Sequence, residues 1–116
     1  VKTLNQKITI TEKNGAFALA FDITGHNDVA VTIELCFSQG GQFTGVRTGV
    51  NSFLAEGMGM YQVGDDVIEF GPGRAAHQFT NLDGASYTAH RGSVKPSGDL
   101  VYITGYTPFR ETITIR

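Results

Sequence analysis

Strict alternation of apolar and polar side chains near the start of the chain is the feature that most constrains its fold. Residues 4–11 put Leu4, Ile8 and Ile10 on one face together with Gln6, and asparagine, lysine and threonines on the other. A two-residue period rich in β-branched side chains is typical of a strand that buries one face. We therefore expect a half-buried strand at residues 4–11.

A tight turn and a second alternating segment follow directly. Asn14-Gly15 favours a type I′ hairpin turn, because both central residues of that turn need positive φ. The segment after it alternates large apolar residues with alanines, which are small enough to lie beneath another layer. Its apolar positions are Phe17, Leu19, Phe21 and Ile23. The pattern predicts a hairpin with its apolar side chains on one face.

The longest alternating segment, residues 29–37, carries apolar side chains at every second position from Val29 to Phe37. No window longer than about eight residues has apolar positions at helical spacing. Short strands separated by frequent turns are typical of sandwiches and barrels. We expect an all-β fold: a single antiparallel β-sandwich of jelly-roll type with about nine or ten strands, covering residues 1–116 as one domain.

Size and charge exclude several partners. The 116 residues carry nine scattered basic side chains, a formal charge of -2 and a pI near 5.8. Binding of nucleic acid needs a concentrated basic surface, and a polybasic membrane anchor needs clustered lysines or arginines. A membrane-spanning helix needs a stretch of about 18 apolar residues, and the sequence contains none. We expect no nucleic-acid partner and no membrane partner.

The single cysteine, Cys36, cannot form an internal disulfide bond. It lies inside the apolar run VAVTIELCF, residues 29–37. A cysteine in such surroundings usually behaves as a small hydrophobic residue. We expect Cys36 to be a buried thiol of the core.

The densest set of polar groups that could face a ligand lies in the glycine-punctuated stretch 53–81. We select Glu56, Tyr61, Arg74 and His77 from this stretch, and Tyr106 from a later segment, as candidate ligand-binding residues. A tyrosine ring can stack on a sugar, and the charged groups can form hydrogen bonds around it. The alternatives are a tyrosine packed in the core, a histidine half-buried with one bonded nitrogen, and a Glu56 that is solvated or paired with an arginine.

No familiar catalytic motif is present. GMGMYQ, residues 57–62, lacks the third glycine of a dinucleotide-binding loop and lies between predicted strands. The chain contains no GxSxG, no HExxH and no paired-cysteine motif. We expect no cofactor and no metal ion, and leave open whether the chain is an enzyme, with a non-catalytic domain favoured.

GDDVIEFGPGRAAHQFTN, residues 64–81, resembles the strand-turn-strand segment of a cupin, in which a histidine follows a glycine turn. His77 and Asn81 have the corresponding spacing of four residues. A cupin metal site also takes an HxH pair, which this chain lacks. The resemblance implies, as the alternative function, a cupin-like metal-dependent small-molecule enzyme or binding protein.

A broader resemblance rests on ELCFSQGG (34–41), FLAEGMGMYQVGDDVIEFGPG (53–73), the following His77 and VYITGYTPF (101–109). These segments resemble β-sandwich domains on the C-terminal side of α/α-toroid proteins that act on polysaccharides, such as heparinase-like lyases. In those proteins the catalytic residues lie mainly in the helical domain, so no catalytic residue is carried over. The resemblance implies a non-catalytic accessory module of a bacterial carbohydrate-active protein that is secreted or periplasmic. Its partners would be the adjacent catalytic domain and a polysaccharide or oligosaccharide.

Overall fold

A computed structural model of the chain describes residues 3–48, 52–77, 87–89, 92–94 and 99–116, with the backbone alone at 87–89 and 92–94. Every regular element among them is a β-strand. In chain order these are β1 (Asn5–Lys13), β2 (Ala16–Thr24), β3 (Ala30–Phe37), β4 (Gln42–Thr44), β5 (Gly59–Val63), β6 (Asp66–Gly71), β7 (Tyr87–Ala89), β8 (Gly92–Val94), β9 (Asp99–Tyr106) and β10 (Phe109–Ile115).

Six strands form the larger sheet, in the order β1-β2-β10-β6-β5-β4. The predicted hairpin is present, since β1 and β2 are antiparallel and paired without interruption from Asn5–Thr24 to Lys13–Ala16. Asn14 and Gly15 both have positive φ, 54° and 80°, as the predicted turn requires. β10 then pairs with β2, so the last strand lies beside the first hairpin.

The second sheet is built on the antiparallel pair β3 and β9. The other edge of β9 is hydrogen-bonded to two short extended segments. Leu54 N–H donates to the carbonyl of Tyr102 (3.1 Å), and Thr104 N–H donates to the carbonyl of Arg74 (2.8 Å). The short pair of β7 and β8 is separate from both sheets.

The core lies between the two sheets, which confirms the all-β class and the two-layer arrangement. Phe37, Val101 and Ile103 from the second sheet form one buried cluster with side chains of the larger sheet. The main partners in the larger sheet are Tyr61, Phe70 and Ile113. The alternation in residues 29–37 was therefore interpreted correctly, because Val31 and Phe37 are buried on the face of β3 that points to the core.

Two burial predictions are wrong. All nine residues of β1 are exposed, with Ile8 at 49% and Ile10 at 63%, because the smaller second sheet leaves this edge of the larger sheet uncovered. Cys36 is exposed as well. It pairs in register with Leu100, whereas the core-facing residues of β3 are its neighbours on either side, Leu35 and Phe37.

Candidate functional site

The segment that carries Arg74 and His77 is fixed along the edge of β9. It follows Gly73, where an added Cβ would lie 2.4 Å from both Cγ and the carbonyl oxygen of Leu54, so this close approach requires glycine. Beyond it, the N–H of Ala76 donates to the carbonyl of Thr104 (3.2 Å). The backbone bonds to β9 therefore decide where the two candidate side chains lie.

His77 connects both strands of the second sheet through one ring nitrogen. Its Nε2 lies 3.0 Å from the carbonyl oxygen of Gly105 and 3.2 Å from that of Val31. Both partners are acceptors, so Nε2 carries the proton and donates. The Thr104 hydroxyl donates to the His77 carbonyl (2.6 Å), which secures the backbone as well. The half-buried imidazole thus has a structural role in joining β3 to β9.

Tyr106 lies against this histidine. The two ring centroids are 4.9 Å apart with an angle of 56° between the ring planes. Tyr106 is 40% exposed, so part of its ring remains accessible to solvent. An exposed aromatic ring that is held in place by a neighbouring ring can contact the apolar face of a ligand.

Arg74 forms an ion pair that links the two sheets. Its Nη1 lies 2.7 Å from Oε1 of Glu111, on β10, and both side chains are more than a third exposed. Close packing here depends on Gly105, because a Cβ at that position would lie 2.7 Å from the ring of Phe109 and 3.7 Å from Nε of Arg74. The carboxylate that pairs with Arg74 is therefore that of Glu111.

The structure brings three of the five selected residues to one end of the sandwich. Arg74, His77 and Tyr106 all lie beside the last residues of β9, and we call them the β9-end cluster. Glu56 lies in an exposed bend next to Gly57, whose carbonyl accepts from the N–H of Gly73 (2.8 Å). This backbone bond joins the bend to the residue before Arg74, and no contact of the Glu56 side chain with the cluster is seen among the described residues.

Tyr61 lies elsewhere, in the core. It is 2% exposed, and its ring packs against Phe37 and Phe43 with centroid distances of 5.1 and 4.6 Å. Its hydroxyl donates to the carbonyl of Ser38 and accepts from the N–H of Gly41 (3.0 Å). This tyrosine holds the turn between β3 and β4 against the core, and its buried position leaves it no surface for ligand contact.

An apolar surface that was not predicted from the sequence lies at the β1 edge of the larger sheet. Ile8 and Ile10 of β1 lie on the core-facing side of the larger sheet together with Phe17, which is 44% exposed. We call these three residues the exposed apolar face. Beside them, a groove of about 320 Å³ runs between β1, β2 and β3, and its apolar lining includes Leu4, Phe21, Ile23, Val31 and Ile33.

The alternation of apolar and polar residues in segment 4–11 is the sequence signal for this surface, but alternation alone has two possible meanings. Alternation shows which side chains share a face, and it does not show whether a second layer extends over that face. In the fold, β3 and β9 pack against the middle of a six-stranded sheet. The edge at β1 consequently keeps apolar side chains in water.

Neither a cluster of metal-ligating side chains nor a membrane-spanning helix occurs among the described residues. These residues contain no group of three or more His, Cys, Asp or Glu side chains positioned to hold a metal ion. Asn81, the second residue of the cupin-like spacing, lies outside the described residues. No helix long and apolar enough to cross a membrane occurs in the part of the chain that the structure describes.

Comparisons with protein-family models, with curated protein sequences and with solved structures give no match for this chain. The class that the fold defines is an all-β protein with two packed antiparallel sheets. Two surfaces of this fold are candidates for function: the β9-end cluster and the exposed apolar face.

Proposed function

We propose that this chain is a non-catalytic accessory β-sandwich module that packs against an adjacent protein domain. The observation that carries the proposal is the exposed apolar face, on which Ile8, Ile10 and Phe17 are 49%, 63% and 44% exposed. Removing apolar surface from water contributes roughly 25 cal/mol per Å². A contiguous apolar surface on a folded domain is a common mark of a protein interaction site.

The sequence resemblance supplies the context of the proposal. It suggests that the adjacent domain is the catalytic domain of a bacterial carbohydrate-active protein that is secreted or periplasmic. Residues 1–116 would be one part of that protein. Jelly-roll connectivity with nine or ten strands belongs to the same proposal. The strand number in this proposal is supported by the eight strands of the two packed sheets together with the short pair of β7 and β8.

Amide hydrogen exchange tests the packing role. The experiment compares the chain alone with the longer protein that would contain it, at equal protein concentration. We expect slower exchange at the amides of residues 8–10 and 17 in the longer protein, because the adjacent domain would cover the exposed apolar face. As an internal control, the amides of Val67 and Ile68 in β6 should exchange alike in both proteins. Equal exchange throughout β1 would contradict the proposal.

Glycan contact at the β9-end cluster is a second candidate function. It is favoured by the Tyr106 ring, which is 40% exposed and held beside His77, with the charged groups of Arg74 and Glu111 on neighbouring elements. A glycan array followed by titration calorimetry tests it. Tyr106→Ala should abolish binding of any glycan detected, whereas Val67→Thr, on β6 and outside both surfaces, should leave it unchanged. Binding that survives Tyr106→Ala would exclude this site.

A further inference from the structure

β1 has the properties of a strand that can extend its sheet. It is the terminal strand of the six-stranded sheet, it is nine residues long, and every residue in it is exposed. Its register with β2 is continuous, and it contains no proline. Edge strands usually prevent further pairing by shortness, proline, bulges or charged side chains, and of these β1 has only the charges of Lys7, Glu12 and Lys13. The opposite edge uses shortness, because β4 has three residues.

We propose that β1 pairs antiparallel with β1 of a second copy of this chain, with Thr9 opposite Thr9 on a two-fold axis. A two-fold axis perpendicular to the sheet keeps the core-facing sides of both copies on the same side of the joined sheet. Directly opposite residues then share a face. This geometry restricts the pairing to registers that join even-numbered residues to even-numbered ones, because Ile8 and Ile10 both face the core side.

The register centred on Thr9 is the one in which the side chains of β1 complement themselves. On the core-facing side, Ile8 of each copy lies opposite Ile10 of the other, and Gln6 lies opposite Glu12, to which its amide can donate a hydrogen bond. On the outer side, Lys7 lies opposite Thr11 and Asn5 opposite Lys13. Every apolar residue therefore meets an apolar residue, and no two like charges are directly opposite.

The neighbouring registers are worse. Centring the pair on Ile10 puts Lys7 opposite Lys13 and Ile8 opposite Glu12, and like charges directly opposite are destabilising. Centring it on Ile8 puts Ile10 opposite Gln6, so two apolar residues lose their apolar partners. This selectivity within one nine-residue strand favours a second copy of the chain as the occupant of the edge.

The pairing goes beyond the proposed packing role and does not depend on it. It uses the backbone edge of β1, whereas packing of an adjacent domain uses side chains of the exposed apolar face. Because the two-fold axis leaves both apolar faces on the same side, the joined sheet would present them next to each other. The dimer is tested on the isolated chain, so its failure is distinguishable from failure of the packing role.

Sedimentation velocity over about a hundredfold range of protein concentration measures the association. We expect a monomer–dimer equilibrium. Ile10→Lys should raise its dissociation constant about tenfold or more, because both Ile8–Ile10 contacts of the symmetric pair are lost. Val67→Lys is the matched control, since Val67 is 51% exposed but lies on β6, inside the sheet, and its substitution should not change the equilibrium. A monomer at every concentration would overturn the proposal.

Cysteine cross-linking tests the register, in a Cys36→Ser background. Thr9→Cys should form a disulfide-linked dimer under mild oxidation, because opposite Cα atoms lie about 4.5–5.5 Å apart in such a pair, within disulfide range. Lys7→Cys alone should not cross-link, since its own copies would lie about 13 Å apart along the strand. Mixing Lys7→Cys with Thr11→Cys should yield the cross-linked heterodimer. Cross-linking of Lys7→Cys alone, or none by Thr9→Cys, would overturn the register.

Discussion

Replacement of Phe37 by alanine tests how the two sheets are joined. Phe37 is 9% exposed on the core-facing side of β3, and its ring centroid lies 4.7 Å from that of Phe70, 5.1 Å from Tyr61 and 5.3 Å from Phe43. These three rings belong to the larger sheet, so Phe37 fills the contact between layers. Truncating a buried phenylalanine costs about 3–5 kcal/mol, because apolar contact is lost and a cavity remains.

The expected effect is large but measurable. A domain of this size has a free energy of unfolding of about 5–15 kcal/mol, so the Phe37→Ala variant should still fold in the cold. At about 4 °C per kcal/mol, its melting temperature should fall by about 12–20 °C. Circular dichroism during heating measures the shift, and a parallel urea titration gives the free energy.

The control is Val67→Ala, which truncates an apolar side chain that is 51% exposed on β6. Its melting temperature should stay within about 3 °C of the original, because surface substitutions usually change stability by less than about 0.5 kcal/mol. If the melting temperature of the Phe37→Ala variant also stays within about 3 °C of the original, Phe37 does not fill the contact between the two sheets.

Three further substitutions test the polar contacts. Tyr61→Phe should lower the free energy of unfolding by about 1–3 kcal/mol in urea titrations, because the Ser38 carbonyl and its partner N–H lose the hydroxyl; an unchanged midpoint would contradict this. His77→Ala should cost a similar amount, since two strand carbonyls lose their donor, and a cost below about 0.5 kcal/mol would argue against the structural role. A double-mutant cycle of Arg74→Gln and Glu111→Gln should give a coupling of about 1 kcal/mol or less, because the pair is exposed; a coupling of about 3 kcal/mol would indicate a desolvated pair.

The local elements could be predicted because their information lies within short segments. The alternation from Val29 to Phe37 specifies a strand and its apolar side, and Asn14-Gly15 specifies the turn, since few residues accept positive φ. Both signals depend on steric limits and side-chain periodicity, which act between neighbouring residues. The β1–β2 hairpin and the all-β class follow from them.

The candidate site was predictable only in part. Arg74 and His77 are three residues apart, so their proximity to each other is local. Their placement beside Tyr106 depends on the backbone pairing of segment 74–76 with β9, which joins residues about thirty positions apart. Tyr61 was selected on the same grounds as these residues. Its hydroxyl, however, is hydrogen-bonded to the turn between β3 and β4, so its side chain is buried in the core.

By itself the sequence determined which residues form strands and which side chains share a face. Only the tertiary structure decided which faces are covered, because coverage depends on how far the second sheet extends over the first. Ile8 and Val31 have the same alternating pattern around them, and one is 49% exposed while the other is 8% exposed. The difference is physical: Val31 lies between two layers, and Ile8 lies beyond the edge of one.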